Sequence, residues 1–251
     1  MILCVDIGNS TVYVGLMEVG RVVDSTHFVR DAQAYIDNLT EFMGERQVEA
    51  VAISSVVPLE TAAIVNATHR LTGLLPLLVK RELKPIFPTV LDSPSTLGAD
   101  RIADITAAMH DYDLPLIVID LGTATTFSVM DRQGVFLGGA ICPGIVTSFR
   151  TLTEKAAQLK GYKLEIPTHV VATNTHDCIG SGIIVGHAAM IDGMVARIEE
   201  ETHETYTVIL TGGMASTVQP FCRRAMHVDD TLILRGIYTM YEDYRAASNK
   251  V

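Results

Sequence analysis

One motif occurs twice in this chain, 114 residues apart, and that repetition restricts the fold more than any other feature. LCVDIGNSTVYVGL, residues 3–16, sets Asp6 inside an apolar run and follows it with Gly8, Asn9, Ser10 and Thr11. LIVIDLGTATTFSVMDRQGVFLGG, starting at Leu116, does the same with Asp120 and Gly122, followed by Thr123, Thr125 and Thr126. Gly20 and Gly134 extend the match at the same offset. Each copy reads as strand, tight glycine turn, strand, second glycine turn, third strand. Three landmarks in register with matching apolar flanks favour duplication over coincidence. Two halves each need a core, and 251 residues, 48% of them hydrophobic, supply two.

The intervening segments fit a mixed α/β chain. Ala32 to Met43 has helical composition, Val48 to Ser54 reads as a strand, and Glu60 to Thr72 as a helix. Ile102, Ile105, Met109 and Tyr112 fall on one helical face. The loop from Lys84 to Pro94 carries three prolines and is expected to be irregular. Later helices are expected at Thr147 to Leu159 and Ile179 to Glu201, then a strand at Tyr206 to Leu210 closed by Thr211-Gly212-Gly213. The boundary falls near Asp113 to Pro115, giving halves 1–113 and 114–251.

Charge and cysteine usage narrow the function. A formal charge of −10 disfavours nucleic acid, because Lys80-Arg81 and Arg223-Arg224 are the only basic pairs of note. A small anionic substrate then needs a locally positive pocket. No apolar run approaches the roughly 18 residues of a membrane helix, so no membrane role is expected. The N-terminus lacks the basic region of a signal peptide. Cys4, Cys142, Cys178 and Cys222 are scattered, which suits reduced thiols in a cytoplasm and argues against zinc or a disulfide frame.

A carboxylate in a buried strand needs a reason. Glycine turns let backbone N–H groups and hydroxyls close around phosphate oxygens, and an adjacent carboxylate can hold a hydrated Mg²⁺ that neutralises them. The bland alternative is that Asp6 and Asp120 cap local turns through Asx hydrogen bonds. For either residue alone the two readings balance; for the matched pair the phosphate reading is favoured. No Gly-Lys dipeptide exists, so a P-loop is excluded. GSGIIVG (Gly180 to Gly186) misses the dinucleotide fingerprint and reads as a helix-packing segment. Thr211-Gly212-Gly213 can pass under an adenosine or form an ordinary strand-to-helix turn, and in isolation the turn is the better reading. His176-Asp177-Cys178 is discounted as a nucleophile set, since adjacent residues rarely point at one another. The histidines show no H-x-x-x-H spacing, and the ten methionines read as core filler.

DIGNST (Asp6 to Thr11), LGADR (Leu97 to Arg101), DLGTATTF (Asp120 to Phe127), GGAICPGI (Gly138 to Ile145), TGG and the closing DDTLILRGI (Asp229 to Ile237) occur in the order found in type III pantothenate kinases. The chain resembles that family over nearly its whole length. The resemblance implies an α/β fold of two RNase H-like subdomains, of the acetate-kinase/Hsp70/actin type, with the nucleotide cleft between them. It implies ATP-dependent phosphorylation of pantothenate to 4′-phosphopantothenate, the first step of coenzyme A biosynthesis, by a homodimer needing Mg²⁺ and K⁺ or NH₄⁺.

Residue by residue, the resemblance makes Asp6, Ile7, Gly8, Asn9, Ser10, Thr11, Val12 and Tyr13 the ATP-phosphate loop, with Asp6 holding Mg²⁺ through water. Thr123 is a second ATP contact, and Asp120 holds the monovalent cation. Asp100 is the general base. Gly98, Ala99, Asp100, Arg101 and Thr175 contact pantothenate. Asn9-Ser10-Thr11 stands where many members have Asn-Thr-Asn, which keeps hydroxyls at the loop. Leu91 stands where some members have a substrate-touching Tyr. The competing functions are a kinase or phosphatase of the same fold acting on another small molecule, and a nucleotide-binding regulator; an intact Asp6, Asp100 and Asp120 favours the kinase over the regulator.

Overall fold

The computed structural model describes residues 1–249. Strands β1 (Ile2–Ile7), β2 (Thr11–Glu18) and β3 (Arg21–Val29) form an antiparallel meander. Helix α1 (Tyr35–Met43) leads to β4 (Ala50–Ser55), and α2 (Pro58–Thr72) leads to β5 (Leu77–Leu78). β4 and β5 extend the sheet in parallel on the far side of β1, giving the order β3-β2-β1-β4-β5. An irregular stretch then delivers α3 (Ala99–Asp111).

The second sheet repeats the plan. β6 (Leu116–Leu121), β7 (Ala124–Met130) and β8 (Phe136–Pro143) form the meander, followed by α4 (Ile145–Lys155), α5 (Thr175–Gly180) and α6 (Gly186–Thr202). Strand β9 (Thr207–Thr211), helix α7 (Ala215–Val218) and β10 (His227–Val228) complete the order β10-β9-β6-β7-β8. Helix α8 (Leu232–Ser248) closes the chain.

Burial explains the elements. β1 and β6 are central strands covered on both faces, so Leu3, Cys4, Val5, Leu116, Ile117 and Ile119 are fully buried and read as continuous apolar runs. Edge strand β3 is polar and largely exposed. In α1, Tyr35, Leu39, Phe42 and Met43 share one face and pack with Ile64 and Ala67 of α2 in the first core. Helix α2 starts with Pro58 and stops at Gly73, a left-handed cap whose N–H bonds the His69 carbonyl. The Lys84 to Pro94 stretch is irregular, as its prolines require.

Strand pairing refines the repeat. Ile7 pairs Val12 across the first turn, whereas Leu121 pairs Thr125 across the second, so the first turn holds one residue more. The correspondence therefore slips to 113 along β2 and β7. Both strands carry an irregularity at matched positions, Leu16/Met17 and Val129/Met130, and the longer connection after β7 restores 114 in β8.

The chain divides into two compact units, one of Met1–Asp111 with α8 and one of Tyr112–Asp230. The sequence reading had kept 114–251 together. Helix α8 departs from that grouping because its apolar face, with Leu232, Leu234, Ile237 and Met240 buried, has its partners on the first unit. A Cβ at Gly236 would fall 1.9 Å from the Ala103 carbonyl oxygen, so α8 meets the backbone of α3 directly. On β2, Gly15 leaves room for Leu234.

The continuous helical stretch Thr175–Thr202 is, by length and composition, long and apolar enough to cross a membrane, against the expectation from sequence. Its apolar residues serve the second core, where Ala188, Ile191 and Val195 pack with Ile117, Phe127 and Leu210. Of the GSGIIVG glycines only Gly180 is tightly packed, where a Cβ would meet the Glu165 carbonyl oxygen at 2.5 Å. Gly182 and Gly186 face open space, and Ser181–Val185 forms a π turn. All four cysteines are free thiols.

Candidate functional site

In the first unit the site is built from strand ends. Asp6, near the end of β1, stands between Tyr13 of β2 and Ser54 of β4. The fully buried Ser54 hydroxyl donates to Asp6 Oδ1 at 2.8 Å, which fixes the carboxylate near the end of the central strand. The turn beyond is closed by the Gly8 N–H on the Thr11 carbonyl at 3.0 Å. Asn9, Ser10 and Thr11 are exposed there. Ile7 and Val12 are fully buried core residues, so only their backbones can serve a ligand. Tyr13 is nearly buried, stacks on His27 with ring centroids 3.8 Å apart, and donates its hydroxyl to Ser25 at 3.3 Å.

Asp100 lies in the first turn of α3, where the unpaired N–H groups and the dipole favour negative charge. Its Oδ1 accepts the Arg101 N–H at 2.7 Å. That carboxylate folds over Gly98, where a Cβ would come within 2.2 Å of Oδ1, so the glycine of GADR makes room for the acid. Burial pushes the Asp100 carboxyl above the ordinary range, opposed by the Arg101 N–H and guanidinium and by Lys80. The Arg101 guanidinium is itself half-buried.

Val56, just past β4, touches the residue after Asp6 and the segment that precedes Asp100. The Val56 N–H donates to the Ile7 carbonyl at 3.2 Å, and a Cβ on Gly98 would lie 3.7 Å from Val56 Cγ1. Two residues of this cluster escaped the sequence reading. Lys80, in a left-handed conformation at φ +74°, donates from Nζ to the carbonyls of Ser95 at 2.7 Å and Leu97 at 2.8 Å, tying down the entry to α3. Asp104, 3% exposed and one turn beyond Asp100, supports the charge on Arg101. The i, i+4 spacing of Asp100 and Asp104 on one helix was the available signal. Nothing in the sequence near Lys80 marks it.

In the second unit Asp120 occupies the register of Asp6, between Thr126 of β7 and Thr211 of β9. Here the strand ends approach so closely that glycine is required. Gly212 has φ +87°, and a Cβ there would lie 2.3 Å from Asp120 Oδ1 and 2.7 Å from the Leu121 nitrogen. A Cβ on Gly122 would sit 3.5 Å from Asp120 Oδ2. The TGG segment is thus a strand-to-helix turn that accommodates the Asp120 carboxylate.

Thr123, at the tip of the turn, is exposed. Its carbonyl receives the Gly144 N–H at 3.1 Å and the Thr147 hydroxyl at 2.7 Å. A Cβ on Gly144 would come within 2.2 Å of the Gly122 carbonyl oxygen, which gives the Cys-Pro-Gly segment its function as a brace. Thr175 opens α5, capped by Asn174, whose side chain accepts the Asp177 N–H at 2.9 Å. It lines a largely apolar groove of about 420 Å³ with Leu152, Leu159, Cys178, Ile179 and Ile183. His176 pairs with Glu165 and Asp177 and not with Cys178. Among the described residues no three His, Cys, Asp or Glu side chains converge as a metal cluster.

The family model for type III pantothenate kinases matches residues 2–197. The chain is 34% identical over 254 residues to a type III pantothenate kinase of Geobacter sulfurreducens, covering 98% of this chain and all of the relative. It is 34% identical over 252 residues to one of Thermomicrobium roseum, covering 96% and 97%. Among solved structures it resembles component A of the (R)-2-hydroxyglutaryl-CoA dehydratase of Acidaminococcus fermentans, with a TM-score of 0.58, 12% identity and 98% of each chain covered. It also resembles MreB 5 of Spiroplasma citri bound to AMPPNP, with a TM-score of 0.55, 10% identity, and 99% and 98% covered. At those identities the likeness concerns the fold alone, the two duplicated subdomains of actin-like and sugar-kinase-like proteins.

Proposed function

The chain belongs to the type III pantothenate kinase family, and we propose from that premise how its residues move a phosphoryl group from ATP to pantothenate in coenzyme A biosynthesis. The observation that carries the mechanism is Asp100, a carboxylate at a helix N-terminus whose pKa is raised by burial and whose place is cleared by Gly98. Such an acid is more basic than an ordinary aspartate, which suits it to accept a hydroxyl proton.

Phosphoryl transfer asks mainly for positioning and charge neutralisation. The exposed Asn9, Ser10 and Thr11, with the turn's backbone from Asp6 to Tyr13, cradle the ATP phosphates, and Thr123 adds a hydroxyl. Asp6, held by Ser54, would hold a hydrated Mg²⁺, which would supply positive charge to neutralise the phosphates. Asp120 would hold K⁺ or NH₄⁺, which would supply positive charge to the phosphates. Pantothenate is held by Gly98, Ala99 and Arg101, whose guanidinium pairs with its carboxylate or amide oxygens, and by Thr175. As the 4′-oxygen bonds to the γ-phosphorus, the bond from that phosphorus to the bridging oxygen breaks. The hydroxyl proton passes to Asp100, and ADP leaves with 4′-phosphopantothenate as the other product. The enzyme works as a cytoplasmic homodimer.

A coupled ADP-release assay with pantothenate, run in K⁺ and then in Na⁺ alone, tests this. Turnover is expected in K⁺ or NH₄⁺ and to fall sharply in Na⁺. If pantothenate yields no ADP above background while another alcohol does, the substrate assignment fails. A monomer by light scattering at assay concentrations would overturn the homodimer.

A further inference from the structure

The last paired residue of each hairpin differs in kind between the units. In the first, Ile7 pairs Val12, a fully buried aliphatic. In the second, Leu121 pairs Thr125, equally buried, whose Oγ1 is hydrogen-bonded to His187 Nε2 at 2.8 Å. His187 is 8% exposed and stands second in α6, the helix that continues from the π turn Ser181–Val185. Thr125 lies on the same face of β7 as Phe127 and Val129, against the core that α6 completes.

Burying a hydroxyl and an imidazole costs free energy unless both are paired, and pairing returns little net stability. Val12 shows that the same fold closes the same hairpin position with no polar group. The pair in the second unit therefore serves something other than folding. What it adds is direction: a hydrogen bond fixes the rotation of Thr125, two residues from Thr123, where an aliphatic contact leaves it free to adjust. Gly144 and Thr147 hold the turn from outside through the Thr123 carbonyl, and His187 holds it from the core. Burial also keeps His187 below its ordinary pKa, so the ring stays neutral and the bond persists at physiological pH.

We propose that His187 is a positioning residue for ATP: through its hydrogen bond to Thr125 it fixes the turn that presents Thr123 to the nucleotide. This rests on the assignment of Thr123 as an ATP contact. Steady-state kinetics of the intact enzyme with both substrates test it, with thermal midpoints recorded for every variant. Both His187→Leu and Thr125→Val, the latter copying Val12, are expected to raise the KM for ATP about fivefold, the worth of one hydrogen bond, with kcat and the KM for pantothenate within about twofold. His187→Gln, which keeps a polar group near Nε2, is expected to restore most of the affinity. The double variant His187→Leu/Thr125→Val is expected to be no worse than either single change, since both remove one bond. An unchanged KM for ATP in Thr125→Val, additive losses in the double variant, or equal losses for both substrates tracking a fall in thermal midpoint would each overturn the proposal. Thr123→Ala separates the two levels. If it leaves ATP affinity unchanged, the ATP contact itself is wrong; if it weakens ATP while the Thr125 and His187 variants do not, the positioning role alone is wrong.

Discussion

Asp6 and Asp120 occupy one register in two copies of one sheet, yet their surroundings differ. Asp6 accepts the Ser54 hydroxyl at 2.8 Å. Asp120 has the backbone of Gly212 packed against its carboxylate, where a Cβ would lie 2.3 Å from Oδ1. Gly8 and its register partner Gly122 leave similar room, a Cβ meeting the nearest atom at 3.4 and 3.5 Å, and the close packing of the second unit comes from Gly144 and Gly212, which have no counterpart in that comparison. The first unit also carries α3 with Asp100 in its first turn, whereas α8, which follows β10 as α3 follows β5, has no acid in its first turn. Duplication thus supplied two turns, and divergence made one an exposed hydroxyl-rich loop and set the other among closely packed glycines.

The largest effect that tests this division is expected from Asp100→Asn. It should lower kcat by roughly 10²- to 10⁴-fold, the usual range for a lost general base, with ATP binding by calorimetry retained. Asp120→Asn should instead abolish the advantage of K⁺ over Na⁺; an Asp120 variant that keeps its cation response would erase the distinction between the units. Next come two glycines, one from each unit. Gly212→Ala is expected to cost about 2–4 kcal/mol in denaturant unfolding, from a left-handed residue and backbone overlap, while Gly8→Ala should cost less than about 1 kcal/mol. Equal losses would mean that the backbone beside Asp120 is no more closely packed than the turn after Asp6.

The pH profile gives a smaller, graded test. Asp100 must be ionised to accept the proton, and burial raises its pKa. Activity should therefore fall as pH drops through a value above the ordinary aspartate pKa of about 3.9, in kcat/KM measured against pH. A limb at or below that value would remove the case for a tuned base. The smallest effect is expected from Ser54→Ala, where losing one hydrogen bond to Asp6 is worth about 1 kcal/mol, or roughly a fivefold rise in the KM for ATP. Thr211→Ala, at the matching position in β9, should change it less if glycine packing holds Asp120.

Much of this was legible in advance because the signals are local. Alternating or continuous apolar runs around Asp-x-Gly identify β1, β2, β6 and β7, and helical spacing from Ile102 identifies α3. The one-residue slip between the hairpins was hidden because an offset of 114 holds for both flanking landmarks while the pairing partners change between them. Lys80 could not be found, since its role depends on reaching the Ser95 and Leu97 carbonyls across a loop. His187 was equally invisible, 62 positions from Thr125 and one of eight histidines without a pattern.

The sequence by itself determined the repeated hairpins, the family and the acids at the strand ends, because periodicity and short motifs are properties of neighbours along the chain. Tertiary structure alone decided that α8 joins the first unit, that Gly236 meets Ala103, and that Gly212 exists for Asp120. Those facts depend on the few ångströms between backbones distant in sequence, where the presence or absence of a single Cβ decides whether two segments can meet.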